Sequence, residues 1–466
     1  MKCSVRIGCW NVQGVKNITD DSLFEEFIYK HDVVVLTETW LAESPNLFSK
    51  DFYNYHNMRP LNARAKRPSG GISILVRHDL KKIISKGFKI VKEHDCFIWL
   101  KIDKFVLGTS DDLYICATYI PPSESTYWSR HDYDPFDTLE QDVLNYNSKG
   151  GVFLVGDFNA RTGTKHDFSP DFLVGEEIED TVRQSDNILL DNTERKYRNN
   201  NDNKINSYGN KLLTICRVLN LRILNGRTLG DSGGAFTCFQ HNGSSTVDYG
   251  IVSESFFNHM TTFQVSPPTH VSDHSYISCS LKTFHSILSP SIGEVGRKTL
   301  LKFKWDDYSQ TNFKSALQLP HIRNKLEELA NENFPSSETG TNQLCEKLTS
   351  VITEVARISL KSIHKKNKKQ SHKLGFDFDC TKLKQKVLSL GKLVKKFPKD
   401  PIIRGTFMTT KKMFKKVVRS KYKEAKNKIL EQIMNCEKAN PKKFWKLLDE
   451  LKDKKNKKNE SPIGIS

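Results

Sequence analysis

The chain has 466 residues, 37% of them hydrophobic, and a formal net charge of +18. That length exceeds one ordinary domain, so two units are expected, and the apolar share is enough for a sizeable core, though not spread evenly. The charge is uneven: residues 281–466 hold 42 Lys+Arg against 19 Asp+Glu, while residues 1–280 hold 30 against 35.

A mildly acidic body therefore carries a strongly basic tail. Such a tail attracts polyanions, nucleic acid before an anionic membrane. The plainer alternative is a set of solvated helix faces. The ten cysteines are scattered and none forms C-x-x-C, which argues against a zinc ribbon or redox motif and suits a reducing compartment. Arg6 and Asn11 interrupt any signal-peptide core, and no apolar stretch approaches a membrane span. An intracellular protein is expected, in nucleus or cytoplasm and without a membrane partner. The sequons at Asn17 and Asn242 are not read as glycosylation sites.

In chain order, strands are expected at Val5–Cys9, Val33–Leu36, Ile72–Val76, Phe97–Ile102, Leu113–Ile120 and Val152–Val155. Each is rich in Val, Ile or aromatic residues and is bounded by polar or Gly/Pro signals. Leu221–Leu224, Ala235–Phe239, Val247–Val252 and Ser275–Leu281 read as later strands. Helical spacing is seen at Leu23, Phe24, Phe27 and Ile28, over residues 137–146, and over residues 211–219. Residues 161–210 form a polar insertion, whose end, Arg198 to Asn203, reads as a flexible surface loop. Pro290, Ser291 and Gly293 mark a linker. Beyond it the period is helical: Leu383, Val387, Leu390, Val394 and Phe397 form one stripe, and Phe407, Phe414, Val418, Tyr422, Ile429 and Ile433 another, both read as packing surface. The expected division is residues 1–285, a linker at 286–300, and a basic helical region at 301–466. Strands with interspersed helices indicate an α/β sandwich of layers.

Polar residues suited to phosphate chemistry recur at strand ends: Asn11, Glu38, Tyr119, Asp157 with Asn159, Asp248, and Asp273 with His274. Ends of neighbouring strands can converge at one rim of a sheet. Hydrolysing an anionic phosphodiester needs a cation on phosphate oxygens, a group to orient or deprotonate water, and donors for developing charge. Hard oxygen donors such as Glu38, Asp273 and Asn11 suit magnesium or manganese rather than zinc. Asp157 can act as general base. His274 can donate to phosphate oxygens, with a carboxylate such as Asp248 fixing its tautomer. Singly, each motif has a plain alternative: Gly-Asp-Phe-Asn is also a turn, and Ser-Asp-His can simply open a strand. The ordered set carries the reading.

Cys9-Trp10-Asn11-Val12-Gln13-Gly14, Leu36-Thr37-Glu38-Thr39-Trp40, Tyr119-Ile120-Pro121-Pro122, Gly156-Asp157-Phe158-Asn159, Val247-Asp248-Tyr249 and Ser272-Asp273-His274 resemble, in order, the endonuclease/exonuclease/phosphatase superfamily over roughly residues 4–283. The resemblance implies a four-layered α/β sandwich with its site at one rim. It would put Asn11 and Glu38 at the metal, with Asp273 a further ligand or a carboxylate behind the ligands. Tyr119 would contact the scissile phosphate, Asp157 would position or activate water, and Asn159 would help align it. His274, paired with Asp248, would stabilise the transition state, leaving a 3′-hydroxyl and a 5′-phosphate. Gln13 departs from the apurinic-endonuclease branch, which has Asp there.

Gly70 to Arg77, Gly156 to Gly163 and Leu221 to Arg227 look like the endonuclease of non-LTR retrotransposons. Phe378-Asp379-Cys380, the Lys-rich helices and Asn440 to Trp445 resemble the segment joining such an endonuclease to its reverse transcriptase, although no Tyr/Phe-x-Asp-Asp strand is present. The resemblance implies a magnesium- or manganese-dependent DNA endonuclease, with element RNA as a partner of the basic tail. Arg59, Arg64, Lys66 and Arg67 are candidate substrate contacts. Other readings are the same fold acting on RNA, a phosphoinositide or a phospholipid, or a silent element remnant that only binds nucleic acid.

Overall fold

The computed structural model describes residues 2–59, 68–78, 80, 88–168, 197–287, 302–304, 309–335, 338–363, 374–436 and 441–451. Two compact units are formed. One comprises residues 1–291 together with 374–466, and the other residues 292–373. The first boundary falls at 291/292, and residues from 374 onward group with the first unit.

In the first unit, β1 (Lys2–Asn11), α1 (Ser22–Lys30), β2 (Val33–Thr37), β3 (Phe52–Asn57), β4 (Ile72–Arg77), β5 (Phe88–His94) and β6 (Phe97–Ile102) come first. The short α2 (Lys104–Leu107), β7 (Asp112–Tyr119), α3 (Pro135–Asn147), β8 (Gly150–Asp157), α4 (Ser207–Val218) and β9 (Leu221–Ile223) follow. Then come β10 (Cys238–Gln240), β11 (Gly243–Ser245), β12 (Asp248–Ser253), β13 (Met260–Val265) and β14 (Ile277–Ile287). Two six-stranded sheets result, in the orders β13-β14-β1-β2-β4-β3 and β5-β6-β7-β8-β12-β9.

Strand alternation explains the layers. Val5, Ile7 and Cys9 of β1 share a core with Leu113, Ile115 and Ala117 of β7 and with Phe153 and Val155 of β8, so this core lies between the sheets. Residues of opposite parity face outward. Trp10, Val34 and Leu36 pack with Phe24, Phe27 and Ile28 of α1. Tyr114, Cys116, Val152 and Leu154 pack with Leu139 and Val143 of α3 and with Leu212 and Cys216 of α4. The order helix, sheet, sheet, helix is the four-layered α/β sandwich expected from the resemblance. The β1–β2 and β7–β8 pairs are parallel, so their C-terminal ends share a rim.

His31 joins α1 to the sheet. Its Nδ1 lies 2.8 Å from Phe27 O and its Nε2 2.7 Å from Ser278 Oγ. Gly8 makes the room, since a Cβ there would lie 2.6 Å from the His31 ring. Burial pushes the His31 pKa down to about 4, below the usual value of about 6.5. Protonation is thus disfavoured in the folded state, and stability present above pH 6.5 is lost as the pH falls toward 4. Denaturant titrations at pH 7 and 4.5 are expected to show about 2 kcal/mol more acid destabilisation in the parent than in His31→Gln. Equal losses would refute this role.

The polar run at 198–203 is not the loose loop that its composition suggests. Arg198, Asn200 and Asp202 are buried. Asp202 accepts from Arg161 Nε at 2.8 Å and from Thr246 N at 3.0 Å, and Asn200 donates to Gly163 O at 2.8 Å. Arg198 donates through Nη2 to Thr162 Oγ1 at 2.8 Å and to Gly163 O at 3.1 Å, and partners of this kind are what permit the burial. The expected strand at Ala235–Phe239 is shorter, with only Cys238–Gln240 in register with β11.

In the second unit, β15 (Lys302–Lys304) pairs with β16 (Lys361–Ile363), and α5 (Ser309–Leu317), α6 (Pro320–Asn331) and α7 (Glu338–Ser359) bury Ala316, Ile322, Val351 and Val355. Within the first unit, α8 (Phe378–Lys396) and α9 (Pro401–Cys436) form a hairpin, followed by α10 (Pro441–Leu451). Val387, Val394, Phe407 and Phe414 of the hairpin pack with Phe239 of β10. Among the described residues no helix is long and apolar enough to cross a membrane.

Candidate active site

The alternation that builds the core also aims the site. Asn11, Tyr119 and Asp157 continue the inward-facing series of β1, β7 and β8, two residues beyond Cys9, Ala117 and Val155. Asp248 opens β12, which runs antiparallel to β8, and sits opposite Asp157 in register, as does Tyr119 on the other side. Four polar side chains thus reach one rim from four adjacent strand ends. Gly156 permits the close approach of β8 to β7, because a Cβ there would lie 1.9 Å from Thr118 O.

Glu38 arrives differently. Alternation past Thr37 would send it to the outer face, but its backbone is left-handed, with φ of 51°. The pleat breaks, and Glu38 Oε1 accepts from Asn11 Nδ2 at 2.8 Å. The same amide nitrogen donates to Asp157 Oδ2 at 2.8 Å, so Asn11 bridges two carboxylates from different strands. Asn159, also left-handed at φ 49°, donates its backbone N–H to Asp157 Oδ1 at 3.0 Å and its amide to Ile120 O at 2.9 Å.

His274 Nδ1 lies 2.9 Å from Asp248 Oδ2, and both side chains are almost fully buried. Burial alone would depress the imidazole, but the Asp248 charge and hydrogen bond raise its pKa well above the usual value, with the Cys238 sulfur also in contact. The turn bearing His274 is tied down on all sides. Trp10 Nε1 donates to His274 O at 2.8 Å, Ser272 Oγ to Asn11 O at 2.6 Å, and Ser275 N to Thr237 O at 2.7 Å. Burial, then repulsion from Asp248, raises the Asp157 carboxyl. Burial, then Glu38 and Asp157, keeps Tyr119 protonated far above neutrality, so its hydroxyl remains a donor.

Asp157, Asp248 and His274 each offer a ligand atom within 4.8 Å of the others, with Glu38 joined through Asn11. Two buried carboxylates and the half-buried Glu38, with oxygen donors predominating, fit a hard divalent cation, which would relieve their mutual repulsion. Asp273 stands apart. Its carboxylate pairs with Lys411 at 2.9 Å and Lys415 at 3.7 Å on α9, and its backbone N–H donates to Gln13 Oε1 at 3.2 Å. Those lysines hold its pKa low against burial. Arg59 is buried, its guanidinium 5.0 Å from the Tyr119 ring centre and 4.2 Å from that of Tyr127. Arg64, Lys66 and Arg67 lie outside the described residues. Reading motifs alone overlooked Cys238, Thr237 and Lys411. Only Lys411 left a signal, as a cation at helical spacing between Phe407 and Phe414.

A buried carboxylate–imidazole pair, a carboxylate–amide bridge and a protonated tyrosine thus meet at the rim of two stacked mixed sheets, an α/β sandwich whose site is suited to phosphoester hydrolysis. Residues 8–274 match the Endonuclease/Exonuclease/phosphatase family. The chain belongs to that family and is a hydrolase acting on phosphodiester bonds. No curated protein matches it by sequence. Among solved structures, an AP endonuclease from Leishmania major is 13% identical, with a TM-score of 0.42, covering 61% of this chain and 88% of its own. The 3′ phosphatase NExo from Neisseria, bound to product DNA hairpin, is 15% identical, with a TM-score of 0.38, covering 60% and 99%. The endonuclease domain of TRAS1, a telomere-specific non-LTR retrotransposon, is 13% identical, with a TM-score of 0.36, covering 60% and 100%.

Proposed function

We propose that the protein is a magnesium-dependent DNA endonuclease, with manganese an accepted substitute, that nicks target DNA to leave a 3′-hydroxyl and a 5′-phosphate. The observation that carries this reading is the convergence of Glu38, Asn11 and Asp157 through one shared amide, beside the Asp248–His274 pair. Glu38 and Asn11, facing Asp157, would hold the cation, which when bound supplies positive charge to the phosphate oxygens and lowers the pKa of water. Asp273 suits a direct ligand role poorly, since two lysines already neutralise its carboxylate.

Asp157, its carboxyl raised toward neutrality, accepts the proton of the attacking water. Asn159 keeps Asp157 oriented through its backbone N–H. Water attacks phosphorus in line, the bond from phosphorus to the 3′ oxygen breaks, and that oxygen takes a proton from solvent water to leave as the hydroxyl. Tyr119 and protonated His274 donate to the phosphate oxygens as charge builds up, and Asp248 holds the imidazole in place. Retroelement-like motifs favour DNA over a phosphoinositide, phospholipid or RNA, and intact Glu38, Asp157 and His274 disfavour a silent remnant. The basic tail is suited to element RNA as a second partner.

Supercoiled plasmid is expected to relax to the nicked form with magnesium and to stay supercoiled in EDTA. Magnesium-dependent phosphate release from phosphoinositide, with no plasmid nicking, would replace DNA as the substrate.

A further inference from the structure

Helix α9 lies outside the residues that match the family, yet it reaches the catalytic rim. Lys411, its side chain 3% exposed, donates to Ser272 O at 2.7 Å and pairs with Asp273, the residue before His274. Lys415 reaches Asp273 from the helix edge. The hairpin is anchored elsewhere too: Lys384 pairs with Asp21 at 3.0 Å, and Arg404 donates to Gln240 O and His241 O at 2.9 and 3.0 Å.

The outer face of α9 has a different composition. Lys412, Lys416, Arg419, Lys423 and Lys426 follow one another at steps of four, three, four and three. At 3.6 residues per turn they stay within about 40° of one line along the helix. All five are exposed, and none has an ion-pair partner among the described residues. Lys384, Lys411 and Lys421, by contrast, spend their charge on Asp21, Asp273 and Asp377.

We propose that this stripe docks the phosphate backbone of the duplex DNA being cut. The inference rests on the nuclease reading above and assigns the site a substrate-holding arm. Position argues for it, since turning about the helix from buried Lys411 leads past Lys415 at the rim to the stripe. Charge argues for it too. Residues 1–280 carry 35 acidic against 30 basic residues, so the body alone repels a polyanion, and α9 brings ten Lys/Arg against two Glu. The fourteen steps from Lys412 to Lys426 span roughly 21 Å of helix, the axial length of about six base pairs at roughly 3.4 Å each. No apolar side chain interrupts the stripe, as membrane docking would favour.

The test compares the full-length parent with Lys412→Gln/Lys416→Gln/Arg419→Gln/Lys423→Gln, all exposed and outside the hairpin core. Binding to a 30-base-pair duplex in EDTA is followed by anisotropy across salt concentrations. The slope of log K against log salt should flatten by roughly 3.6 for the four charges removed, at about 0.9 for each phosphate no longer neutralised. Affinity near 0.1 M salt should fall tenfold or more. In plasmid nicking, KM should rise while kcat at saturating DNA stays. Exposed Lys392→Gln/Lys396→Gln on α8 should change little. An unchanged slope and KM would overturn the proposal. So would a variant that loses single-stranded RNA or phosphatidylserine vesicles but keeps the duplex. A parent whose stripe binds duplex without nicking it would refute the nuclease reading and leave the surface standing.

Discussion

His274→Ala should lower kcat for plasmid nicking by roughly 10²–10⁴, the range for a positioned donor acting in the transition state. KM should hardly change, so kcat and kcat/KM fall together. The imidazole is buried against Asp248 at 2.9 Å, and the pair acts as a unit. Asp248→Asn should retain the fold but lower kcat by a smaller factor, because the ring then loses the charge that keeps it protonated. Adding Asp248→Asn to His274→Ala should cost almost nothing further. Steady-state kinetics on the three variants decides the matter. A His274→Ala enzyme nicking at the parental rate would remove His274 from the mechanism.

The second large effect concerns stability, from a residue 137 positions beyond His274. Lys411→Met should destabilise the protein by about 3 kcal/mol, near the lower end for breaking a buried pair, since Asp273 retains some solvent. Burial lowers the Lys411 ammonium to about 8 despite the Asp273 charge, so it is still charged at neutral pH. Removing it leaves the Asp273 carboxylate with only the more distant Lys415 and deprives the Ser272 carbonyl of its donor. Making Asp273→Asn as well should recover part of the loss, because removing both partners costs less than removing one. Denaturant midpoints for parent, single and double variants measure this. An unchanged midpoint in Lys411→Met would mean that the pairing with α9 contributes nothing.

Much of the site was legible in the linear chain, for a definable reason. Strands alternate with period two, so inward-facing Cys9, Ala117 and Val155 dictate that Asn11, Tyr119 and Asp157 face inward as well. Parallel β1–β2 and β7–β8 pairs, forced by helical crossovers, put those ends on one rim. The motif order and the hydrophobic alternation therefore contained the architecture and the convergence of most of the candidate site residues.

What local pattern could not supply was partnership across long separations. Glu38 reaches Asn11 only because its backbone turns left-handed, which alternation cannot foretell. The Arg198–Asn203 run reads as loop by composition, yet Asp202 is buried because Arg161 and Thr246 satisfy it. Asp273 looked like one more oxygen donor, until α9 brought Lys411 against it. Periodicity is set by bonds between near neighbours, so the sequence by itself determined the strands, their faces and the family. A buried charge is settled by whichever opposite charge the folded chain brings within reach, and that only the tertiary structure decided.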